Sequence, residues 1–126
     1  LHLSTRRQRQ MCIRDRNWFV NAFNFEIIND EVRSVGDRFI MCQSEDGFRV
    51  NISGERTNET LGPSDADPHY GLEHFGLDSD NLEEDISRLE SLGATLAEGP
   101  MEMPGIRIVF LKTPGDVRIE LIQKVD

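Results

Sequence analysis

The feature that most constrains the fold is a degenerate repeat of secondary structure in the two halves of the chain. In the second half, the segments LEHFGLD, DNLEEDISRLESLG, ATLAEG, IRIVFLK and VRIELIQ read in order as strand, helix and three strands. In the first half, WFVNAF, FEII, RFIMC and FRVNI read as a helix and three strands. The two halves agree once a strand is added before Trp18. The sequence therefore predicts two βαβββ modules, of which the first lacks its opening strand.

Hydrophobic periodicity supports these assignments. In the second half, apolar residues recur every three or four positions, as on one face of a helix, at Leu82, Ile86, Leu89 and Leu92. Asp80 is predicted as the N-cap of this helix. In FRVNI (48–52) apolar and polar residues alternate, which indicates a strand with one apolar face. The pair Asn29-Asp30 is predicted to end the first strand, and PMEMPG is predicted as a loop.

The sequence predicts one domain over residues 17–126. Residues 53–71 are rich in Gly, Pro, Ser, Asp and Asn and are interpreted as the linker between module one (17–52) and module two (72–126). With 126 residues, 37% of them hydrophobic, the chain can form a core of ordinary size. The predicted fold class is α+β.

Residues 1–16 differ from the rest of the chain. They contain five arginines and one aspartate and carry a net charge of +4. The whole chain has a net charge of −9, so residues 17–126 carry −13. A basic arm, a targeting segment and a non-native sequence are the alternatives. The segment RRQRQMCIRDR resembles translated sequencing-adaptor read-through, so residues 1–16 are interpreted as a non-native leader. We expect the leader to be disordered or to form a makeshift strand with Met11 and Ile13 on one side, and to contribute no ligand to a site.

Composition excludes several classes of partner. A strongly acidic body repels the phosphates of nucleic acid, so nucleic acid is not expected as a partner. No run approaches the roughly 18 apolar residues of a membrane span, so a membrane is not expected either. The two cysteines, Cys12 and Cys42, form no disulfide framework. Cys42 is predicted to be a buried free thiol, and a cytoplasmic location is predicted.

The second half resembles the vicinal oxygen chelate superfamily, which includes glyoxalase I, methylmalonyl-CoA epimerase, extradiol dioxygenases and the fosfomycin and bleomycin resistance proteins. The resemblance lies in EHFGL with His74, in the helix end Leu92-Gly93-Ala94, and in the closing motif from Phe110 to Leu121. More weakly, WFVNAFNFEI resembles the helix-to-strand segment of the family's first module, with Asn24 at its usual glycine. The resemblance implies paired βαβββ modules that form a curved mixed sheet around a concave groove.

The resemblance also implies a metal site built from one His and one carboxylate or amide in each module. His74 matches the second-module His, Glu120 matches the second-module carboxylate, and Asn51 falls where the first module has Glu, Gln or His. The first-module His would lie on the missing strand. Strand alternation places Glu120 and Asn51 on the faces opposite their apolar neighbours. His69 lies in the linker, where a surface role is expected.

Two functions follow from the resemblance. The first is a lyase or isomerase that depends on a divalent metal (Zn, Ni, Co, Mn or Fe), acts on a small oxygenated metabolite, and uses Glu120 or a neighbouring carboxylate to move the proton. The alternative is a metal-free binding protein of the bleomycin-resistance type, for which the acidic charge suits a cationic ligand. A remnant without activity is a third interpretation. A homodimer is plausible by resemblance.

Overall fold

A computed structural model describes the backbone of residues 2–126 and the side chains from Cys12 onward. The elements in chain order are α1 (His2–Phe23), β1 (Glu26–Val32), β2 (Arg38–Gln43), β3 (Arg49–Ser53), β4 (His74–Asp78), α2 (Leu82–Ser91), β5 (Thr95–Met103), β6 (Ile106–Lys112) and β7 (Arg118–Lys124). They divide into two compact units, one ending at Pro63 and the other comprising Ser64–Asp126. No helix among residues 2–126 is both long enough and apolar enough to cross a membrane.

The first unit consists of α1 on an antiparallel sheet with strand order β1-β2-β3. The helix packs against β2 and β3, and its buried face includes Trp18, Phe19 and Ala22. Ile40 and Cys42 of β2 are fully buried, which confirms the prediction for the Cys42 thiol. The sheet has three strands, so the predicted α+β module without an opening strand is confirmed for the described part of the chain.

The expectation that residues 1–16 are disordered or form a makeshift strand is wrong where the structure describes them, because residues 2–16 are helical and continue into the predicted WFVNAF helix. These residues contain neither Gly nor Pro, and Arg, Gln, Leu and Met are good helix formers. Cys12 is buried, and its Sγ would lie 3.1 Å from a Cβ added to Gly54. Ile13 is half-buried, whereas the side chain of Met11 lies outside the described residues.

The second unit has α2 on a four-stranded sheet of order β4-β7-β6-β5. β4 pairs with β7 in parallel, and the remaining pairs are antiparallel. Leu82 and Leu89 of α2 are fully buried, as are Leu111 and Ile119 of the sheet. The N-cap of α2 is Asn81, whose side chain accepts a hydrogen bond from the Glu84 amide at 3.1 Å. The prediction that Asp80 caps the helix is therefore wrong by one residue.

The predicted ends of two strands, β1 and β5, are also corrected. β1 continues through Asn29 and Asp30 to Val32, because a register shift between Ile27 and Asn29 accommodates the extra residue. β5 likewise continues through PMEM to Met103, with register shifts on either side of Glu98. Bulges let strands pass through turn-forming residues that a sequence pattern assigns to loops.

The two units repeat with a constant spacing of 69 residues. The spacing separates the residues of positive φ after each helix, Asn24 and Gly93, and those in the first hairpin turns, Gly36 and Gly105. It also separates Ser44 from Thr113. Each of these residues begins a hairpin turn, and its side-chain oxygen accepts a hydrogen bond from the backbone amide four residues later. Counted from these turns, Asn51 and Glu120 occupy equivalent strand positions.

Candidate functional site

His74 and Glu120 come together on the parallel pair of strands in the second unit. His74 begins β4, and Glu120 lies on β7 opposite Gly76. Gly76 carries no side chain, and a Cβ added there would lie 3.2 Å from Ile122 Cδ1, so this part of the strand pair is closely packed. The His74 and Glu120 side chains are 35% and 17% exposed, and His74 Nε2 lies 3.0 Å from Glu120 Oε2. One imidazole nitrogen and one carboxylate oxygen therefore converge on one point that solvent can reach.

The alternation of β7 determines which face of the sheet carries this pair. Ile119 and Leu121 are buried, and the Gln123 side chain accepts a hydrogen bond from the Leu82 amide at the start of α2. The odd-numbered residues therefore face the helix. Glu120 points to the other face, as strand alternation predicts.

A second carboxylate holds the opposite side of the imidazole. Glu73 Oε1 lies 3.1 Å from His74 Nδ1, and the ring edge of His74 packs on Phe110 with centroids 5.0 Å apart. The hydrogen bond with His74 is the main cause that holds the pKa of Glu73 below its ordinary value, and the nearby Arg118 charge adds to it. These contacts fix both the tilt and the position of the ring.

The donor chemistry of the pair fits a cation. A neutral imidazole carries one N–H and can donate to only one of the two carboxylates that face it. When Nδ1 donates to Glu73, the nitrogen that keeps its lone pair is Nε2, which lies 3.0 Å from Glu120 Oε2. A positive charge between these two atoms makes the contact favourable. Imidazole with carboxylate suits Zn, Mn, Fe, Co or Ni, and a ligating imidazole usually donates its other N–H to a carboxylate.

The structure places Asn51 in the other unit. It is exposed on β3, whose half-buried residues Val50 and Ile52 point to the opposite face. The position 69 residues before His74 is 5, and it lies within α1 rather than on a strand. Among the side chains that the structure describes, residues 12–126, no group of three or more His, Cys, Asp and Glu is arranged to hold a metal ion. His74 and Glu120 thus supply two donors, and a complete site needs others.

His69 is not part of this arrangement. Its ring nitrogens contact the backbone oxygens of Asp67 and Leu72 on the exposed linker. The surface role expected from the sequence agrees with these contacts.

Sequence reasoning missed three residues that surround the pair: Glu73, Phe110 and Arg118. Arg118 is 6% exposed, and its guanidinium lies 4.5 Å above the Phe110 ring. The signal was present in part, because Glu73 adjoins His74 and Arg118 shares a strand face with Glu120. The contacts themselves join residues that are far apart in the sequence.

The chain is an α+β protein that combines an αβββ unit with a βαβββ unit, in which His74 and Glu120 are paired on the first and last strands. The family model described as "Glyoxalase/Bleomycin resistance protein/Dioxygenase superfamily" matches residues 14–121. The chain belongs to this superfamily. A comparison with curated proteins finds no significant match.

Solved structures with the same fold belong to proteins of several kinds. A glyoxalase family protein from Bacillus cereus has a TM-score of 0.72 and 18% identity, and covers 84% of this chain and 86% of its own. The fosfomycin resistance protein FosX from Listeria monocytogenes, solved with Mn(II) and sulfate, has a TM-score of 0.64, 16% identity and coverages of 90% and 83%. The antibiotic-binding protein TnmS3 from Streptomyces sp. CB03234 has a TM-score of 0.61, 19% identity and coverages of 90% and 86%. At these identities the similarity establishes the fold alone.

Proposed function

We propose that the chain is a divalent-metal-dependent lyase or isomerase that acts on a small oxygenated metabolite. The observation that carries the proposal is the convergence of His74 Nε2 and Glu120 Oε2 at 3.0 Å, with the other imidazole nitrogen held by Glu73. A FosX structure of the same fold contains Mn(II), which supports a metal in this fold. Asn51, at the position equivalent to Glu120, is proposed as a weaker donor from module one.

Each residue has a distinct part in the proposed site. His74 would hold the metal through Nε2, while Glu73 keeps its ring in place. Glu120 would hold the metal as a carboxylate ligand, and its second carboxylate oxygen would take a proton from a substrate carbon and return it. When bound, the metal supplies Lewis acidity that polarises a substrate carbonyl. The Phe110 ring lies beside the imidazole, with the ring centroids 5.0 Å apart, and would form an apolar wall on that side of the pair.

Metal analysis tests this proposal. We expect the purified protein, loaded with Mn²⁺ or Zn²⁺ and dialysed, to retain one equivalent, measured by inductively coupled plasma mass spectrometry. His74→Ala and Glu120→Gln should each remove a ligand and release the metal. His69→Ala is the matched control, because it removes an exposed imidazole from the same unit. Unchanged metal content in His74→Ala would contradict the proposal.

A metal-free binding protein is the second candidate. It is favoured because, among the side chains that the structure describes, no group of three or more His, Cys, Asp and Glu is arranged to hold a metal ion. The fold similarity to the antibiotic-binding protein TnmS3 points in the same direction. Titration with metal-free bleomycin in the presence of EDTA, followed by calorimetry, tests it. Saturable binding together with no retained metal would favour this candidate over the enzyme.

A further inference from the structure

We infer that Arg118 is a positioning residue for the His74–Glu120 pair, acting through Glu73 on the orientation and tautomer of the imidazole. The inference rests on the proposed function, because it concerns the same donors. It assigns a role to a buried cation that forms no part of the donor set.

Arg118 is buried. Its side chain is 6% exposed, although a guanidinium is costly to remove from water unless carboxylates surround it. Two carboxylates contact it, one from Glu73 just before β4 and one from Glu98 on β5. Arg118 Nε lies 3.1 Å from Glu73 Oε1, and Arg118 Nη2 donates to Glu98 Oε2 at 3.1 Å.

Arg118 and His74 share one oxygen atom of Glu73. Glu73 Oε1 contacts both Arg118 Nε and His74 Nδ1, each at 3.1 Å. The Nε contact lacks hydrogen-bond geometry, so it acts as a charge that fixes the carboxylate rather than as a directed donor. The directed bond of Glu73 Oε1 is the one to His74. Arg118 therefore holds the carboxylate in place, and the carboxylate selects the N–H at Nδ1.

Arg118 and His74 also contact the same aromatic ring. The Arg118 guanidinium lies 4.5 Å from the centroid of Phe110, and the His74 ring meets the same side chain edge-on. Phe110 thus keeps a fixed separation between the cation and the imidazole. Because Arg118 precedes Glu120 by two residues on β7, the strand carries the positioning residue and the second donor on one face.

A matched control exists in the same unit. Arg107 on β6 is also paired with two carboxylates, Glu83 and Glu102, and its Nε is also buried without a hydrogen bond. No contact connects it to His74 through either partner. Arg107→Met removes a comparable cation, whereas Arg118→Met removes the one that we infer to act on the imidazole.

The experiment combines a spectroscopic measurement with a binding measurement. In the metal-free full chain, long-range ¹H–¹⁵N spectra at alkaline pH report the tautomer of His74, assigned with His74→Ala. We expect the Nδ1–H form in the wild type and in Arg107→Met, and a mixture of tautomers in Arg118→Met. Calorimetric titration with Mn²⁺ should show affinity weakened about 10- to 100-fold in Arg118→Met and nearly unchanged in Arg107→Met.

Two further variants cover a failure of Arg118→Met to fold. Glu73→Gln removes the carboxylate through which Arg118 acts and should give the same mixed tautomer and weakened binding. Arg118→Lys keeps the charge but not the planar fork, so it should restore part of the affinity. If both Arg118→Met and Glu73→Gln leave the His74 spectrum as in the wild type, the inference is overturned. If the wild type binds no Mn²⁺, the proposed function fails, while the tautomer result still decides the inference.

Discussion

At the residue scale, the best-defined contacts of the first unit meet at Asp30. Its carboxylate accepts two hydrogen bonds from Arg38, at 2.8 and 3.0 Å, and pairs with Arg16 of α1. The side chain is 14% exposed. The hydrogen bonding with Arg38 is the main cause that lowers the pKa of Asp30, and Arg16 adds to it.

This arrangement predicts a pH-dependent contribution to stability. Because the folded-state pKa lies below the unfolded value, the contribution is complete above the unfolded pKa and is lost as pH falls through the folded-state pKa. We expect Asp30→Asn to lower the free energy of unfolding by about 1.5 to 3 kcal/mol at neutral pH. The difference from the wild type should shrink below about pH 3.9. Urea unfolding at several pH values measures it.

The control for this prediction is Glu31→Gln, which removes an exposed carboxylate from the next position of the same strand. Its effect should be small at every pH. A constant difference between Asp30→Asn and the wild type across the acid range would rule out the linkage.

The residues of the candidate site were predictable only where a local pattern marked them. His74 and Glu120 were predicted because each lies in a recognisable strand motif, and the structure places them 3.0 Å apart; their role as ligands stays a prediction. Glu73, Glu98 and Arg118 were not, because their contacts join three strands or strand ends whose proximity depends on the sheet order. A local sequence pattern does not show which residues of distant strands come into contact.

At the element scale, strands with regular alternation were located well. The predicted strand IRIVFLK coincides with β6, Ile106–Lys112. The two bulged strands were predicted too short, because β1 and β5 absorb turn-forming residues without ending. α1 was predicted to start too late, since its upstream residues lack the apolar stripe that marks an amphipathic helix but have good intrinsic helix propensity.

The start of α2 gives a prediction at this scale. Asn81 accepts the Glu84 amide, whereas Asp80 precedes the cap. Asn81→Ala should therefore cost about 1 kcal/mol of unfolding free energy, as the loss of a cap usually does. Asp80→Ala, the control, should cost less than about 0.5 kcal/mol, since it removes only a charge near the helix N-terminus. Chemical denaturation compares the two, and an equal or larger loss in Asp80→Ala would speak against the observed cap.

At the scale of the whole molecule, the two modules were predictable from the order of their elements, and the superfamily match over residues 14–121 agrees with them. Each unit has its own buried apolar residues, with Ile40 in one and Leu111 in the other. The domain boundaries within the chain, the non-native origin of residues 1–16, the homodimer and the cytoplasmic location stay predictions.

The separate cores predict separate local opening. Ile40→Ala and Leu111→Ala should each cost about 2 to 5 kcal/mol, because each leaves a cavity in a fully buried site. Hydrogen exchange followed by mass spectrometry should show faster exchange within 26–53 for the first variant and within 95–124 for the second. Ile28→Ala, at an exposed position, is the control. Equal acceleration of both segments by either variant would mean that the units open together.

The constant 69-residue spacing has a consequence for how such a gene can change. Turns and strand positions stay in step from Asn24 and Gly93 through to Asn51 and Glu120. A recombination event that replaces one such segment of codons by its counterpart would leave every hairpin in register, with no insertion or deletion. Because equivalent positions are separated by the same number of codons over this range, a donor such as Glu120 could be copied into the position of Asn51 in a single exchange.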